Sequence, residues 1–296
     1  MASISIIGKS VGLIIAIAYS VIGFDYPILD YALFGLILLL VGIPHGAIDH
    51  LTSNPHTSKS TLLPFLIQYV TMILFYSVVW YFLPLLALIL FLGMSAYHFG
   101  QTHFIKRIEV SSAKTALLYL SRGAFYLAII ILGSFEESQS ILASIIDITP
   151  LYHLQWYVIF SLFFLSLIMQ RICRVKFSSG DLLELTALPL LLYFTPLAIS
   201  FILYFGIWHS IPSMVAEYNY LRQYPCCQNL GDFVKQLLPF TFLSLVGISL
   251  ILWAGLTYLS SEEIVLLFFV LISLISFPHI LYMDNFIKKK INTDRY

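Results

Sequence analysis

Ten apolar stretches, most of them about 20 residues long, follow one another along this chain and constrain its fold more than any other feature. A helix needs about 20 apolar residues to cross the hydrocarbon core of a bilayer. The chain has 60% hydrophobic and only 10% charged residues, whereas a soluble domain needs about 25% charged residues. A soluble enzyme, a disordered chain and a nucleic-acid-binding protein are therefore excluded. We expect an all-α, polytopic membrane bundle of about ten transmembrane helices, in one domain over residues 1–296. The stretches cover approximately residues 6–24, 27–48, 63–82, 84–103, 114–133, 151–171, 182–195, 197–217, 236–258 and 264–284.

The seventh and eighth stretches are not separated by a polar loop. They form one apolar run over residues 182–217, which Pro189 and Pro196 interrupt. As a helix, residues 182–195 would be only about 21 Å long. Two full spans and a re-entrant hairpin both fit this run, and both place the chain termini on the same side.

Basic residues are predicted to lie on one side of the membrane only. With ten crossings, all fifteen Lys and Arg residues fall on one side and the opposite loops contain none. The positive-inside rule makes the basic side cytoplasmic, which predicts a multi-pass protein of the cell (inner) membrane with both termini in the cytoplasm. The apolar run after Lys9 has no small-x-small cleavage site and is interpreted as a span rather than a signal peptide. Charges that decide the sidedness include Lys106, Arg107, Lys114 and Arg295 on the basic side and Asp25, Asp30, Glu136 and Glu137 on the other.

Four histidines lie at a similar depth in four different predicted spans. His45, His98, His209 and His279 each precede the cytoplasmic end of their span by about 5–12 Å of helix. Polar residues are expensive inside a bilayer, and their presence there points to function. Imidazole suits iron, zinc, copper and nickel, and helical bundles hold metals between facing helices. We therefore predict one metal site with these four ligands, against the alternative of histidines that only hydrogen-bond between helices.

Four other polar residues are candidates for supporting or replacing these ligands. His50 and His103 each follow a predicted ligand by five residues, about 140° around the helix, and are either alternative ligands or interfacial residues. Asp49 lies one helical turn after the first ligand and could hold a ligand imidazole by its second nitrogen; otherwise it is a helix-end residue in water. Glu217 could serve similarly from the eighth span.

The histidine-containing segments resemble those of the Brp/Blh family, bacterial and archaeal membrane enzymes that split beta-carotene centrally into two retinals. The resemblance implies an iron(II) (Fe²⁺) centre bound by histidines, molecular oxygen as co-substrate, and no haem. The resembling segments are Gly42–His50, Tyr97–Gln101, Trp208–Ser210 and Pro278–His279.

Three of the predicted ligands match motifs of this family. His45 matches the histidine of its Pro-His-Gly-Ala motif, His98 that of its Tyr-His-Phe/Trp-Gly motif, and His209 that of its His-Ser motif. Some members carry a second histidine four residues later, where this chain has Ser213. The fourth ligand therefore rests on the depth of His279 alone, and a three-histidine site, or one that uses an alternative ligand named above, stays open.

The resemblance implies a carotenoid-cleaving dioxygenase that takes beta-carotene from the lipid bilayer and gives two all-trans-retinal. A hydrocarbon offers no hydrogen bonds, so an apolar and aromatic tunnel should orient it. A retinal-binding rhodopsin would be a suitable functional partner. The aromatic residues that flank the ligands are Tyr97, Phe99, Tyr204, Phe205, Trp208, Phe277 and Tyr282.

Two other functional classes remain as alternatives. A bis-histidine haem electron carrier needs axial pairs on opposing helices, which four matched histidines permit. A proton-coupled transporter needs acids within the membrane, yet the acids near the spans lie at their cytoplasmic ends. These acids are Asp49, Glu184, Glu217 and Asp284.

Overall fold

In a computed structural model, the chain forms α-helices with short turns and contains no β-strand in the part described. This confirms the predicted all-α fold. Asp25, Lys106 and Arg295, which the sidedness prediction also uses, lie outside the described residues. The structure describes residues 2–22, 26–56, 58–105, 107–108 and 112–293.

Nine helical segments of the described chain are long and apolar enough to cross a membrane, which confirms a polytopic helical protein. Two of these segments, Pro27–Ser53 and Leu197–Leu221, combine short α-helices with turns of another pitch. In chain order the α-helices are α1 Ala2–Ile22, α2 Pro27–Ile37, α3 Asp49–Ser53, α4 Lys59–Phe82, α5 Pro84–Phe104, α6 Ala113–Gly133, α7 Phe135–Leu142, α8 Gln155–Ile172, α9 Ser179–Tyr193, α10 Leu197–Leu203, α11 Ile211–Leu221, α12 Leu230–Gly255 and α13 Ser261–Thr293.

The helical pitch changes beside two of the predicted ligands. Leu38–Gly42 is π-helical and precedes a 3-10 turn over Pro44–Gly46, and Tyr204–Ser210 is π-helical between α10 and α11. Pro44 and Pro212 have no amide hydrogen to continue an α-helical ladder, which accounts for a departure from α geometry at these points. Such π-helical turns are rare and often occur at functional sites.

The chain divides into two compact units. Unit 1 comprises Met1–Gly42, Ser95–Ala143 and Asp147–Val215, and unit 2 comprises Ile43–Met94, Ser144–Ile146 and Ala216–Tyr296. Each unit contains two of the four histidines predicted as ligands. The single domain expected from the sequence stays a prediction.

In unit 1, the short helix α9 runs in the same direction as α1 and α6. Near its start, Glu184 pairs with Lys9 of α1, and near its end a backbone carbonyl accepts a hydrogen bond from Ser20 of α1. At the end of α6, a Cβ on Gly133 would lie 2.7 Å from the carbonyl oxygen of Tyr193. Although α9 has only 15 residues, it therefore accompanies two long helices to their C-terminal ends. This geometry favours a short crossing by α9, in addition to the nine longer spans, over a re-entrant hairpin.

Ion pairs gather at one end of unit 1. Lys9 lies 2.6 Å from Glu184, and Arg107 binds both carboxylate oxygens of Asp181 at 2.6 and 2.7 Å. The start of α1, the segment after α5 and the start of α9 therefore share one end of the unit. The sequence predicts that these same segments lie on the cytoplasmic side, and this sidedness stays a prediction.

Helices α5 and α6 approach each other backbone to backbone at two glycines. A Cβ on Gly100 would lie 1.8 Å from the carbonyl oxygen of Tyr119, and one on Gly123 would lie 1.8 Å from that of Ala96. Small residues allow such close contact between membrane helices. The contact holds the part of α5 that carries His98.

We expect Gly100→Ala and Gly123→Ala each to lower the thermal unfolding midpoint of the detergent-purified protein. Overpacking costs about 1–3 kcal/mol, and here the clash is with a backbone that cannot move without separating the helices. Gly93→Ala on the same helix is the matched control, because a Cβ there meets nothing within 4 Å. The midpoint is measured by heating samples to a series of temperatures and quantifying the remaining folded protein by size-exclusion chromatography. Equal midpoints for all three variants would contradict the close contact.

Candidate metal centre

Unit 2 contains a pair of buried histidines from different segments. The rings of His45, in the 3-10 turn before α3, and His279, in α13, have centroids 4.6 Å apart and meet edge to face at 82°. Their exposed fractions are only 4% and 3%. Two imidazoles buried in contact at this depth are a strong candidate for metal ligation, because polar groups in a membrane are otherwise costly.

Asp49 fixes the orientation of one ring of this pair. Its two carboxylate oxygens lie 2.9 and 3.0 Å from Nδ1 of His279, and the hydroxyl of Tyr69 donates to the same carboxylate at 3.3 Å. A carboxylate that accepts from Nδ1 leads the imidazole to bind a metal through Nε2. Asp49 therefore orients His279, which belongs to α13. It does not do so for His45, which lies one turn before Asp49 in the sequence.

Unit 1 contains a second pair with the same arrangement. The rings of His98, in α5, and His209, in the π-helical turn, have centroids 4.5 Å apart and an interplanar angle of 73°. Nδ1 of His209 hydrogen-bonds to the Thr102 hydroxyl at 2.8 Å, and Nδ1 of His98 lies 3.3 Å from Oε1 of Gln101. Nε2 is again the nitrogen through which each ring would bind a metal.

Ser213 lies one helical turn after His209 and contacts the turn that carries it. Its hydroxyl donates to the backbone oxygen of His209 at 2.9 Å and lies 3.4 Å from the Thr102 hydroxyl. Thr102 thus contacts both the ring of His209 and the turn that carries it. In this chain, position 213 supports the π-helical turn and offers no imidazole.

Three of the predicted ligands meet the requirements for a metal site. His45, His98 and His279 are each buried and offer one imidazole nitrogen, and together they could bind a metal ion. The contribution of His209 as a fourth ligand and the identity of the metal remain predictions.

His103, an alternative ligand, is part of a separate polar network in unit 1. Its Nδ1 lies 3.1 Å from a carboxylate oxygen of Glu184, and its Nε2 lies 3.0 Å from the hydroxyl of Tyr204. The ring stacks on that of Tyr126, and Lys9 binds the other oxygen of Glu184 at 2.6 Å. Both ring nitrogens are thus engaged by protein groups, and the side chain is buried within the protein.

The other two candidate polar residues lie in unit 2. The ring of His50 lies 4.8 Å from that of Phe240 and 6.3 Å from that of Phe65, in an aromatic environment. Glu217 is completely buried, and neither of its carboxylate oxygens has a hydrogen-bond partner among the described residues.

The aromatic residues predicted to line the site have different surroundings. Phe99 and Phe205 lie beside the ring of His209, with centroids 4.7 and 5.9 Å from it, and Tyr204 contacts Phe99 at 5.5 Å. In unit 2, Tyr282 is parallel to Tyr69, the residue that donates to Asp49. These residues place aromatic surface near each pair.

Three other predicted lining residues make contacts of a different kind. Tyr97 packs edge to face on Tyr119, and Phe277 stacks on Tyr76 in unit 2. The indole of Trp208 fills the space beside Gly12, where a Cβ would lie 2.7 Å from the ring. Helix packing accounts for these contacts.

Sequence reasoning missed three residues that orient the imidazoles, either directly or through Asp49. Gln101 and Thr102 lie three and four residues after His98, spacings that put both on the same helix face, and this signal could have identified them. Tyr69 gives no such signal, because it lies on α4 and reaches Asp49 only through the tertiary fold.

The family model for beta-carotene 15,15'-dioxygenase matches residues 36–286, a range that includes both histidine pairs. No curated protein and no solved structure gives a significant match. Because the matched range covers most of the chain and contains the candidate ligands, this protein belongs to the beta-carotene 15,15'-dioxygenase family of carotenoid dioxygenases.

Proposed function

We propose that the protein is a membrane non-haem iron dioxygenase that cleaves beta-carotene at its central double bond with O₂ to give two all-trans-retinal. The observation that carries this proposal is a pair of buried, edge-on imidazoles in each unit, within the range that the family model matches. We further propose that His45, His98, His209 and His279 bind one iron(II) ion together.

The donor set fits iron(II). Imidazole nitrogens suit iron as well as zinc and copper, whereas magnesium and calcium prefer oxygen. Asp49, Gln101 and Thr102 contact Nδ1 of three of the four rings, as the partners of metal-binding histidines usually do. Bound iron(II) would supply the redox chemistry that lets O₂ react with a hydrocarbon.

The protein's own part in this reaction is to orient the polyene and exclude water. Phe99 and Phe205 offer flat apolar surface beside His209, and a closed, dry site suppresses side reactions. Each carbon of the central double bond receives one oxygen atom of O₂, so the two aldehydes account for all atoms and no reductant is consumed.

A haem electron carrier fits the pairs less well. In a bis-histidine haem the two axial rings lie on opposite faces of the porphyrin. The rings of each pair touch edge to face, with centroids 4.5 and 4.6 Å apart, and leave no room for a porphyrin between them. Within either unit, this geometry favours two ligands on the same ion.

The location of the reaction follows from the helices. Beta-carotene dissolves in the bilayer, so a multi-pass membrane protein meets its substrate there. We propose the cell (inner) membrane, with both termini in the cytoplasm, as the positive-inside rule predicts. The retinal produced would be available to a retinal-binding rhodopsin.

We expect His45→Ala, His98→Ala, His209→Ala and His279→Ala each to abolish retinal formation and to lower bound iron at least tenfold. Removing one imidazole leaves the ion with one protein ligand fewer, which weakens its binding and disturbs its coordination geometry. Iron is measured by mass spectrometry of the purified protein, and retinal by chromatography from cells that make beta-carotene. His153→Ala, an exposed position, is the control.

Full iron and full activity in one of these variants would remove that histidine from the ligand set. A wild-type protein that leaves beta-carotene intact and shows a haem absorption band would replace the dioxygenase by an electron carrier.

We expect Asp49→Asn to weaken iron binding about 10–100-fold, the usual effect of losing a group that orients a ligand. The amide cannot accept from Nδ1 of His279 as strongly as the carboxylate does. Iron retention during titration with a chelator measures the loss. Tyr69→Phe is the matched control, since it removes a hydrogen bond to the same carboxylate but leaves its charge, and it should change retention less. An Asp49→Asn protein that retains iron like the wild type would contradict this role.

A further inference from the structure

Unit 2 contains an apolar cavity of about 300 Å³ that the metal site does not explain. It lies among α4, α12 and α13, and α13 contacts both of the other helices. Most of its wall is aliphatic or aromatic. Lining residues include Phe65, Tyr69, Phe240, Ser244, Gly247 and Leu274.

One end of this cavity reaches the histidine pair of unit 2. Gly46 and Asp49 both line the cavity. Asp49 hydrogen-bonds to His279, and a Cβ on Gly46 would lie 3.5 Å from Nδ1 of the same ring. A ligand in the cavity would therefore extend to within contact distance of the residues that orient His279.

Part of the cavity wall reaches the outer surface of the helices. Val70, Leu243 and Ile251 line it and are exposed to 50%, 66% and 48%. Val70 belongs to α4 and the other two to α12, so the opening lies between these helices. In a membrane this surface faces lipid, and an apolar molecule can enter from the side without passing through water.

The polar groups at the wall do not call for a polar ligand. The hydroxyl of Tyr69 donates to Asp49 and lies 3.2 Å from the backbone oxygen of Ile275, and the carboxylate of Asp49 is engaged by His279. The ring of His50, which also lines the cavity, packs against that of Phe240. The cavity thus offers mainly shape and apolar surface, which are the means by which a hydrocarbon is recognised.

We propose that this cavity binds one half of the carotenoid, its cyclic end group with the adjoining polyene, and that it places the central double bond beside His45 and His279. The proposal rests on the proposed function. A volume of about 300 Å³ lies at the lower end of ligand pockets and suits part of a forty-carbon substrate rather than all of it. Central cleavage requires an end group on each side of the reacting bond, and this cavity extends from the histidine pair toward the lipid.

Gly247 provides the test of occupancy, because a Cβ there meets nothing within 4 Å and would project into open space. We expect Gly247→Leu to fill the cavity and lower kcat/KM for beta-carotene at least tenfold, mainly through KM, with iron content unchanged. Gly93→Leu is the matched control, as it also adds a side chain in open space but at an exposed position of α5. Wild-type kinetics for Gly247→Leu would overturn the proposal.

A binding experiment separates this proposal from the proposed function. The full-length protein is treated with a chelator, so that no turnover occurs, and irradiated with a diazirine derivative of beta-ionone, which carries the cyclic end group. We expect crosslinks on α4 and α12 at residues that line the cavity, and we expect beta-carotene to compete. Squalane, an acyclic hydrocarbon, should compete at least tenfold less well.

Each outcome has one meaning. Crosslinks elsewhere, or equal competition by squalane, would overturn the end-group site and identify the cavity as a groove for lipid chains, even if the enzyme cleaves beta-carotene. Selective crosslinks in a protein that makes no retinal would support the cavity as a carotenoid site while the dioxygenase proposal fails.

Discussion

Hydrocarbon supplies no hydrogen-bond partners, so a polar group within a membrane-spanning chain depends on the protein itself. This constraint explains why the described backbone is helical and why many of its buried polar side chains occur in groups. Arg122, completely buried, donates to Ser166 and Gln170. His103 and Glu184 satisfy each other in the same unit. The histidine pairs follow the same rule, and their partners at Nδ1 also determine which nitrogen meets a metal.

The hydrogen bonds of Asp49 show how one side chain joins several helices. Asp49 opens α3, accepts from His279 in α13 and accepts from Tyr69 in α4. Its position is therefore set by three segments that are far apart in the sequence. A carboxylate held in this way is rigid, and rigidity of the supporting groups is what keeps a metal ligand in place. The same residue also lines the apolar cavity, so the candidate metal and substrate regions of unit 2 share it.

Much of the fold and the type of site could be predicted from the sequence, because both follow from local signals. Apolar runs of about 20 residues indicate spans whatever their partners are, and histidines within them stand out by their cost. The length of α9 was ambiguous because its course is set by packing against α1 and α6. The partner of Asp49 could not be predicted either, since helical spacing identifies only neighbours on the same helix. His103 likewise has its partners on other segments, Glu184 and Tyr204.

The π-helical turn at Tyr204–Ser210 has a consequence for the whole span. A π turn holds one more residue than an α turn, so it rotates everything after it by about 100° relative to a continuous α-helix. The residues of α11 are out of phase with those of α10. A helical wheel drawn through Leu197–Leu221 as one continuous α-helix would therefore assign the inward face of α11 wrongly. In the structure, Ser213 and Glu217 lie on the buried face of α11. Deleting a single residue from this turn would restore one continuous phase and direct a different set of α11 side chains inward.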